Sequence, residues 1–215
     1  MKNRHLFLIG SGPPMPEKLA ESFASLLEKG PVVLLYKPRK DMSIQEYSSV
    51  FTDPITSHAP DIPFHFIRIK ESYEADEVKK LKSAGGLMIG GGDTVKYQQY
   101  IAESELAPII RTLYTAGIPI AGFSAGALIV PDMCVISAKD NEQERTLYKK
   151  GLGLVKNRAL AVHYLSWREQ NHLRKTVNEL NVSVGYGIDE RSGIYLENET
   201  VKAAEGYVYF ENSSS

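Results

Sequence analysis

The chain has 215 residues, 43% of them hydrophobic, and carries 25 basic against 26 acidic side chains. That length and apolar content fit one α/β domain spanning residues 1–215, with a sizeable core, and leave little room for two. The near-cancelled charge, with no basic stripe and no polybasic cluster, excludes a nucleic-acid binder or a membrane-surface protein held by electrostatics.

The first predicted element is a buried strand over residues 5–9, ending at Gly10-Ser11-Gly12. Its apolar run, Leu6-Phe7-Leu8-Ile9, is too short for a signal-peptide core or a membrane span, so the expectation is a cytoplasmic protein. Residues 16–29 place apolar side chains at 19, 20, 23, 26 and 27, a helical period that stops at Gly30. A second buried strand covers 32–36, a helix 43–51, a third strand 64–69 and a charged helix 74–82. A fourth strand, 86–89, leads into Gly90-Gly91-Gly92-Asp93-Thr94. A helix pair follows over 95–116, then a fifth strand, 118–121. After it come a short helix, a polar stretch over 139–148, a strand 159–162, a helix 166–180 and a strand 182–188. The end reads as an antiparallel hairpin region over 193–210, turning near Asn198 and Gly206, with a frayed tail at 213–215. Segments 52–63 and 139–151 read as loops. The alternation of continuous apolar strands with helices predicts an α/β fold, a mostly parallel sheet with helices on both faces. The single cysteine, Cys134, excludes an internal disulfide and fits a reducing compartment.

The fifth strand feeds Gly122-Phe123-Ser124-Ala125-Gly126, a G-x-S-x-G pattern. A nucleophile on a sharp strand-to-helix turn needs small neighbours, because bulk would collide with the adjoining strand and helix. Such an elbow pushes the Ser124 hydroxyl out at the carboxyl edge of the sheet, and the amide of Ala125 at the next helix start can stabilise an oxyanion. The Gly90–Thr94 run also follows a strand and opens a helix, and its exposed amides suit the second half of an oxyanion hole. It lacks the Lys-Ser/Thr of a P-loop, and Gly10-Ser11-Gly12-Pro13-Pro14 lacks the helix opening of a dinucleotide fingerprint.

A serine needs a base. His5, His58, His65 and His172 read as structural or solvated, His172 on an exposed helix face; His163 ends a buried strand at the edge where Ser124 emerges. The carboxylate that holds the imidazole is either in Asp189-Glu190, at the end of the strand 182–188, or Asp140, in the polar stretch after the elbow.

Together these pieces resemble the dipeptidase E and cyanophycinase family of serine peptidases. The matching segments are Gly90-Gly91-Gly92-Asp93-Thr94, Gly122-Phe123-Ser124-Ala125-Gly126-Ala127, Ala161-Val162-His163-Tyr164 and Gly185-Tyr186-Gly187-Ile188-Asp189-Glu190. The resemblance implies a fold like the class I glutamine amidotransferases, with serine in place of the elbow cysteine, and a Ser-His-acid peptidase needing no metal. It implies Ser124 as nucleophile, His163 as base, and amides of Gly92 or Asp93 with Ala125 for the oxyanion. Cyanophycinase-like members point to Glu190 as the acid. Aspartyl dipeptidases point to Asp140, from a segment resembling Arg-Thr-Thr-Asn-Asp that here reads Ile136-Ser137-Ala138-Lys139-Asp140. The arginine that would pair with a substrate carboxylate is absent, and Lys139 is an imperfect substitute for it. Position and resemblance rank Glu190 ahead of Asp140.

The expected activity is hydrolysis of short peptides, down to dipeptides, through an acyl-enzyme, by a monomer or homodimer without cofactor. No HExxH helix and no Cys/His cluster at ligand spacing marks a metal site. Two other readings remain. One is an α/β-hydrolase esterase, whose order Ser-acid-His the position of Glu190 after His163 opposes and Asp140 would fit. The other is a binding domain with an inert elbow.

Overall fold

The computed structural model describes residues 2–38 and 43–213; Met1 and residues 214–215 of the expected tail lie outside the described residues. Its strands are β1 (His5–Ile9), β2 (Val32–Tyr36), β3 (Phe64–Arg68), β4 (Gly86–Ile89), β5 (Ile120–Phe123), β6 (Met133–Ile136), β7 (Leu147–Lys150), β8 (Arg158–Val162), β9 (Val184–Ile188), β10 (Gly193–Glu197), β11 (Thr200–Glu205) and β12 (Val208–Asn212). Its helices are α1 (Glu17–Ser25), α2 (Ile44–Thr56), α3 (Ala75–Lys82), α4 (Thr94–Tyr97), α5 (Leu106–Thr115), α6 (Ala125–Leu128) and α7 (Gln170–Leu180).

The main sheet has seven strands in the order β11-β10-β1-β5-β4-β2-β3. The five from β1 to β3 are parallel, and β10 and β11 add antiparallel to the β1 side. Side chains alternate along each strand and feed two cores. Leu6 and Leu8 of β1, with Val33 and Leu35 of β2, pack towards Leu81 and Ile110 of α3 and α5. Phe7 and Ile9, with Val32 and Leu34, pack towards Leu19, Phe23 and Phe51 of α1 and α2. Helices therefore cover both faces, as the continuous apolar strands predict.

A second, three-stranded sheet, β12-β9-β8, stands apart from the first and is backed by α7 through Leu173 and Val177. The expected C-terminal hairpin is therefore divided. The β10–β11 pair extends the main sheet, and β12 crosses over to lie antiparallel to β9.

Several boundaries differ from the sequence expectation. Helix α1 stops at Ser25, not 29, because the Glu28 amide turns away to donate to the Gly85 carbonyl at 3.2 Å. Helix α2 runs on to Thr56, through Pro54 and into the expected loop 52–63. Phe51 and Ile55, one turn apart and both fully buried, hold it against the core and outweigh the backbone bond that proline removes. Strand β5 begins at Ile120 rather than 118, since Pro119 has no N–H for the ladder. The expected 95–116 helix pair is α4, a π-helical turn over Gln98–Ala102, and α5. The buried Gln98 side chain ties that turn to the Lys150 carbonyl at 2.9 Å. The loop expected over 139–151 contains β7, which pairs with β6; Leu147 is the one buried residue of β7, so that strand gives a weak alternating signal. Helix α7 begins at Gln170 instead of 166, because residues 165 and 166 give their amides to the Asp189 carboxylate.

Candidate active site

Ser124 follows β5 with φ 49° and ψ −111°, a conformation that L-residues hold only when their surroundings force it. Its amide donates to the Ile9 carbonyl of β1 at 2.9 Å, and α6 opens at the next residue. The flanking glycines are sterically required. A Cβ on Gly122 would lie 2.5 Å from the Gly126 carbonyl oxygen, and one on Gly126 would lie 2.2 Å from that of Ile89.

His163 directly follows β8, so it is carried by the second sheet, not by the sheet that carries Ser124. Its amide donates to the Gly10 carbonyl, at the end of β1, at 2.9 Å, which sutures the two sheets at their carboxyl ends. Gly10 has no room for a side chain there, since its Cβ would lie 2.3 Å from the Ile188 carbonyl oxygen of β9. The His163 Nε2 is 3.0 Å from Ser124 Oγ, and its Nδ1 is 2.5 Å from Glu190 Oε1. With a carboxylate at Nδ1, the neutral ring carries its proton there and leaves Nε2 free to accept from the serine. Trp167 stacks on the imidazole, 4.4 Å between centroids and 19° from parallel.

The two carboxylates next in sequence do different jobs. Asp189 Oδ1 accepts from the Leu165 and Ser166 amides at 2.8 and 3.2 Å and from the Ser166 hydroxyl at 3.1 Å. Burial pushes the Asp189 carboxyl up, and these donors outweigh it and hold it below its usual value. Asp189 thus fixes the turn after His163, and Glu190 faces the ring.

Asp140 stands in a short 3₁₀ turn, Ala138–Asp140, and its Oδ2 accepts from the Thr94 hydroxyl at 2.5 Å. Burial raises its pKa to about 6; the Thr94 bond and the nearby His163 pull the other way, and Asp93 and Glu169 add to the rise. Asp140 lines the same cavity as Ser124 but is not hydrogen-bonded to His163.

The amides of Gly91, Gly92, Asp93 and Ala125 find no acceptor among the described residues. Gly91 comes nearest the serine, since a Cβ there would lie 3.3 Å from that of Ser124. The Asp93 carboxylate caps α4, accepting from the Lys96 amide at 3.1 Å. Gly91, Gly92 and Asp93 border a cavity of about 410 Å³ whose walls include Gly12, Lys37, Tyr47, Ser124, Asp140, His163 and Trp167.

Lys139 does not line the Ser124 cavity. Its ammonium donates to the Trp167 carbonyl and lies 3.7 Å from the buried Glu169 carboxylate. His172 is not on an exposed face: its side chain is largely buried beside Glu169, at 3.9 Å, and burial lowers its pKa. Residue-level reading missed Trp167, Lys37 and the Thr94–Asp140 bond. Trp167 carried a signal, being the sole tryptophan and four residues past His163; the other two depend on contacts between distant segments.

No curated protein matches the chain. Among solved structures, a peptidase from an acI-B1 Actinobacterium superposes with a TM-score of 0.67 at 17% identity, covering 98% of this chain and 88% of the other. A protein from Listeria monocytogenes EGD-e, provisionally described as peptidase E, gives a TM-score of 0.67 at 18% identity, covering 99% of this chain and 100% of the other. These likenesses establish the fold. The model of peptidase family S51 matches residues 6–204, nearly the whole chain and all of the segments that carry the elbow, the histidine and the carboxylates, and the chain belongs to that family.

Proposed function

We propose that this chain is a serine peptidase that cleaves short peptides, dipeptides among them, through an acyl-enzyme formed on Ser124. The observation that carries the reading is the unbroken relay from Ser124 Oγ to His163 Nε2 at 3.0 Å and from His163 Nδ1 to Glu190 Oε1 at 2.5 Å. His163 takes the serine proton as Oγ attacks the scissile carbonyl, and Glu190 stabilises the imidazolium that forms. The amide of Ala125, with one from Gly91, Gly92 or Asp93, receives the oxyanion. His163 then protonates the leaving amine, and a water activated by the same ring releases the acyl group. A cavity of about 410 Å³ suits a few residues rather than a folded protein.

Two observations favour this over the other readings. The acid that meets His163 follows it in the chain, which opposes the α/β-hydrolase order. An inert binding domain has no need of a strained serine held within hydrogen-bond reach of a correctly oriented histidine. One domain over residues 1–215, acting in a reducing cytoplasm with its single cysteine buried, completes the proposal.

The test is covalent labelling with a fluorophosphonate, alongside turnover of a dipeptide and a tripeptide series. The wild type is expected to label and to turn over, and Ser124→Ala to do neither while unfolding at a similar denaturant concentration. Substantial turnover by purified Ser124→Ala would remove the nucleophile assignment. Because the relay supplies its own base, hydrolysis is also expected to survive exhaustive chelation; loss on chelation with recovery on added zinc would defeat the serine mechanism.

A further inference from the structure

The carboxyl edge of the parallel sheet presents different chemistry at each strand end. Ser124 follows β5, the Gly90–Asp93 amides follow β4, Lys37 follows β2, and Arg68 ends β3. Lys37 is fixed relative to the site by one buried hydroxyl: its amide donates to Tyr97 Oη at 3.2 Å, and Tyr97 Oη donates to the Gly91 carbonyl at 2.9 Å. Its side chain lines the Ser124 cavity and also an adjoining cavity of about 760 Å³ that Arg68 and Lys96 share.

Charge in this region is unevenly matched. Lys70 is held by Glu77 at 2.7 Å and Glu74 at 3.8 Å, and Lys96 by Asp93 at 3.6 Å. Glu71, on the wall of the adjoining cavity, is exposed to water. Lys37 and Arg68 have no side-chain hydrogen bond or ion pair with an acid among the described residues. Lys37 is half-buried, and burial first, then the neighbouring Lys96 ammonium, pushes its pKa down, with Asp93 opposing. A partly buried cation with no acid in direct contact, next to another cation, is an arrangement that an incoming anion relieves.

We infer that Lys37, supported by Lys96 and Arg68, binds a substrate carboxylate at the far end of the Ser124 cavity. The inference rests on the peptidase reading above and deepens it by naming the substrate group. Geometry favours the C-terminal carboxylate of a dipeptide or tripeptide. Neighbouring strands are about 4.8 Å apart, so β2 lies roughly 10 Å from β5. An extended peptide advances about 3.3 Å per residue, which puts the terminal carboxylate one or two residues past the scissile carbonyl within reach of the Lys37 ammonium. An acidic side chain on the substrate offers the same chemistry, and the test separates the two.

The test measures kcat/KM for one tripeptide as its free acid, its C-terminal amide, and with an internal Glu replaced by Gln, in wild type, Lys37→Met, Lys37→Arg and Lys96→Met. The wild type is expected to prefer the free acid over the amide at least about tenfold, through KM. Lys37→Met is expected to bring that ratio near one, Lys37→Arg to keep most of it, and Lys96→Met to lower it in part. If the Glu/Gln ratio collapses in Lys37→Met instead, the site binds a side-chain carboxylate and the inference stands. If both ratios are unchanged in Lys37→Met, or the wild type prefers neither carboxylate, the inference is overturned. Calorimetric binding of the same peptides to Ser124→Ala, with and without Lys37→Met, reads the carboxylate preference without any turnover. A preference there that Lys37→Met abolishes supports the site even if Ser124 proves not to be the nucleophile, and no preference there overturns it.

Discussion

Glu190 leaves nearly half of its side-chain surface, 48%, in water, yet it is the carboxylate that meets His163. An exposed acid loses part of its electrostatic hold to solvent, but it still fixes the tautomer and angle of the ring. Glu190→Gln is therefore expected to lower kcat by roughly a hundredfold, and Asp140→Asn by much less, with its main effect on KM. Turnover and Michaelis constants of both mutants on one peptide check this, and the ranking is wrong if Asp140→Asn is the crippling change. Asp140 has a separate signature in stability. Its pKa stands at about 6 against an ordinary 3.8, so the folded state keeps the proton that the unfolded chain releases. Folding stability attributable to this group is therefore fully present below pH 4 and lost as pH rises through 6. Asparagine can keep an oxygen for Thr94 without the buried charge. Asp140→Asn is expected to be more stable than wild type by about 1–3 kcal/mol at pH 7 and by nothing at pH 4. Denaturant midpoints at four pH values between these limits read the difference, and a gap that does not grow with pH would contradict the buried-charge account.

At the scale of elements, the elbow works because β5, α6 and the loop after β4 approach to backbone contact. The Gly126 amide donates to the Gly90 carbonyl at 3.1 Å, and a Cβ on Gly126 would lie 2.5 Å from that same oxygen. Both neighbours are main chain, so neither can rotate aside. Gly126→Ala is expected to cost about 1–3 kcal/mol by overpacking and to lower kcat/KM at least about a hundredfold, by shifting the Gly91–Asp93 amides away from Ser124. Chemical denaturation with assay of the folded fraction measures the two losses separately, and wild-type turnover in that fraction would show that the close approach is dispensable. The G-x-S-x-G string announced this element because the requirement is local: only small residues fit either side of such a turn. Helix α2 was less legible, since Pro54 reads as a stop and only the burial of Phe51 and Ile55 keeps the helix going. The β6–β7 hairpin was not legible, because Leu147 alone of its second strand is buried.

At the scale of the whole molecule, the site is assembled across two sheets. Ser124 and the amides of Gly91–Asp93 and Ala125 ride on the main sheet, and His163 and Glu190 follow the ends of β8 and β9. Gly10 is the joint: its carbonyl accepts from His163, and its missing side chain lets β9 close against β1. Gly10→Ala is expected to leave far-ultraviolet circular dichroism close to wild type and to reduce fluorophosphonate labelling of Ser124 at least about tenfold, because it wedges His163 away from Ser124. Normal labelling in the folded variant would show that the second sheet is not held at that contact. The sequence by itself determined what is set by short-range sterics and periodicity: the parallel core strands from their unbroken apolar runs, the elbow from its glycines, and His163 and Glu190 as strand-end residues. Only the tertiary structure decided which side chains meet. That His163 is carried by a second sheet, that Glu190 faces its ring while Asp189 caps the following turn and Asp140 binds Thr94, and that Lys37 shares a cavity with Ser124 all depend on contacts between residues far apart in the chain. Such contacts are fixed by how the two sheets dock, and no local pattern of residues encodes the distance between strand ends that the fold brings together.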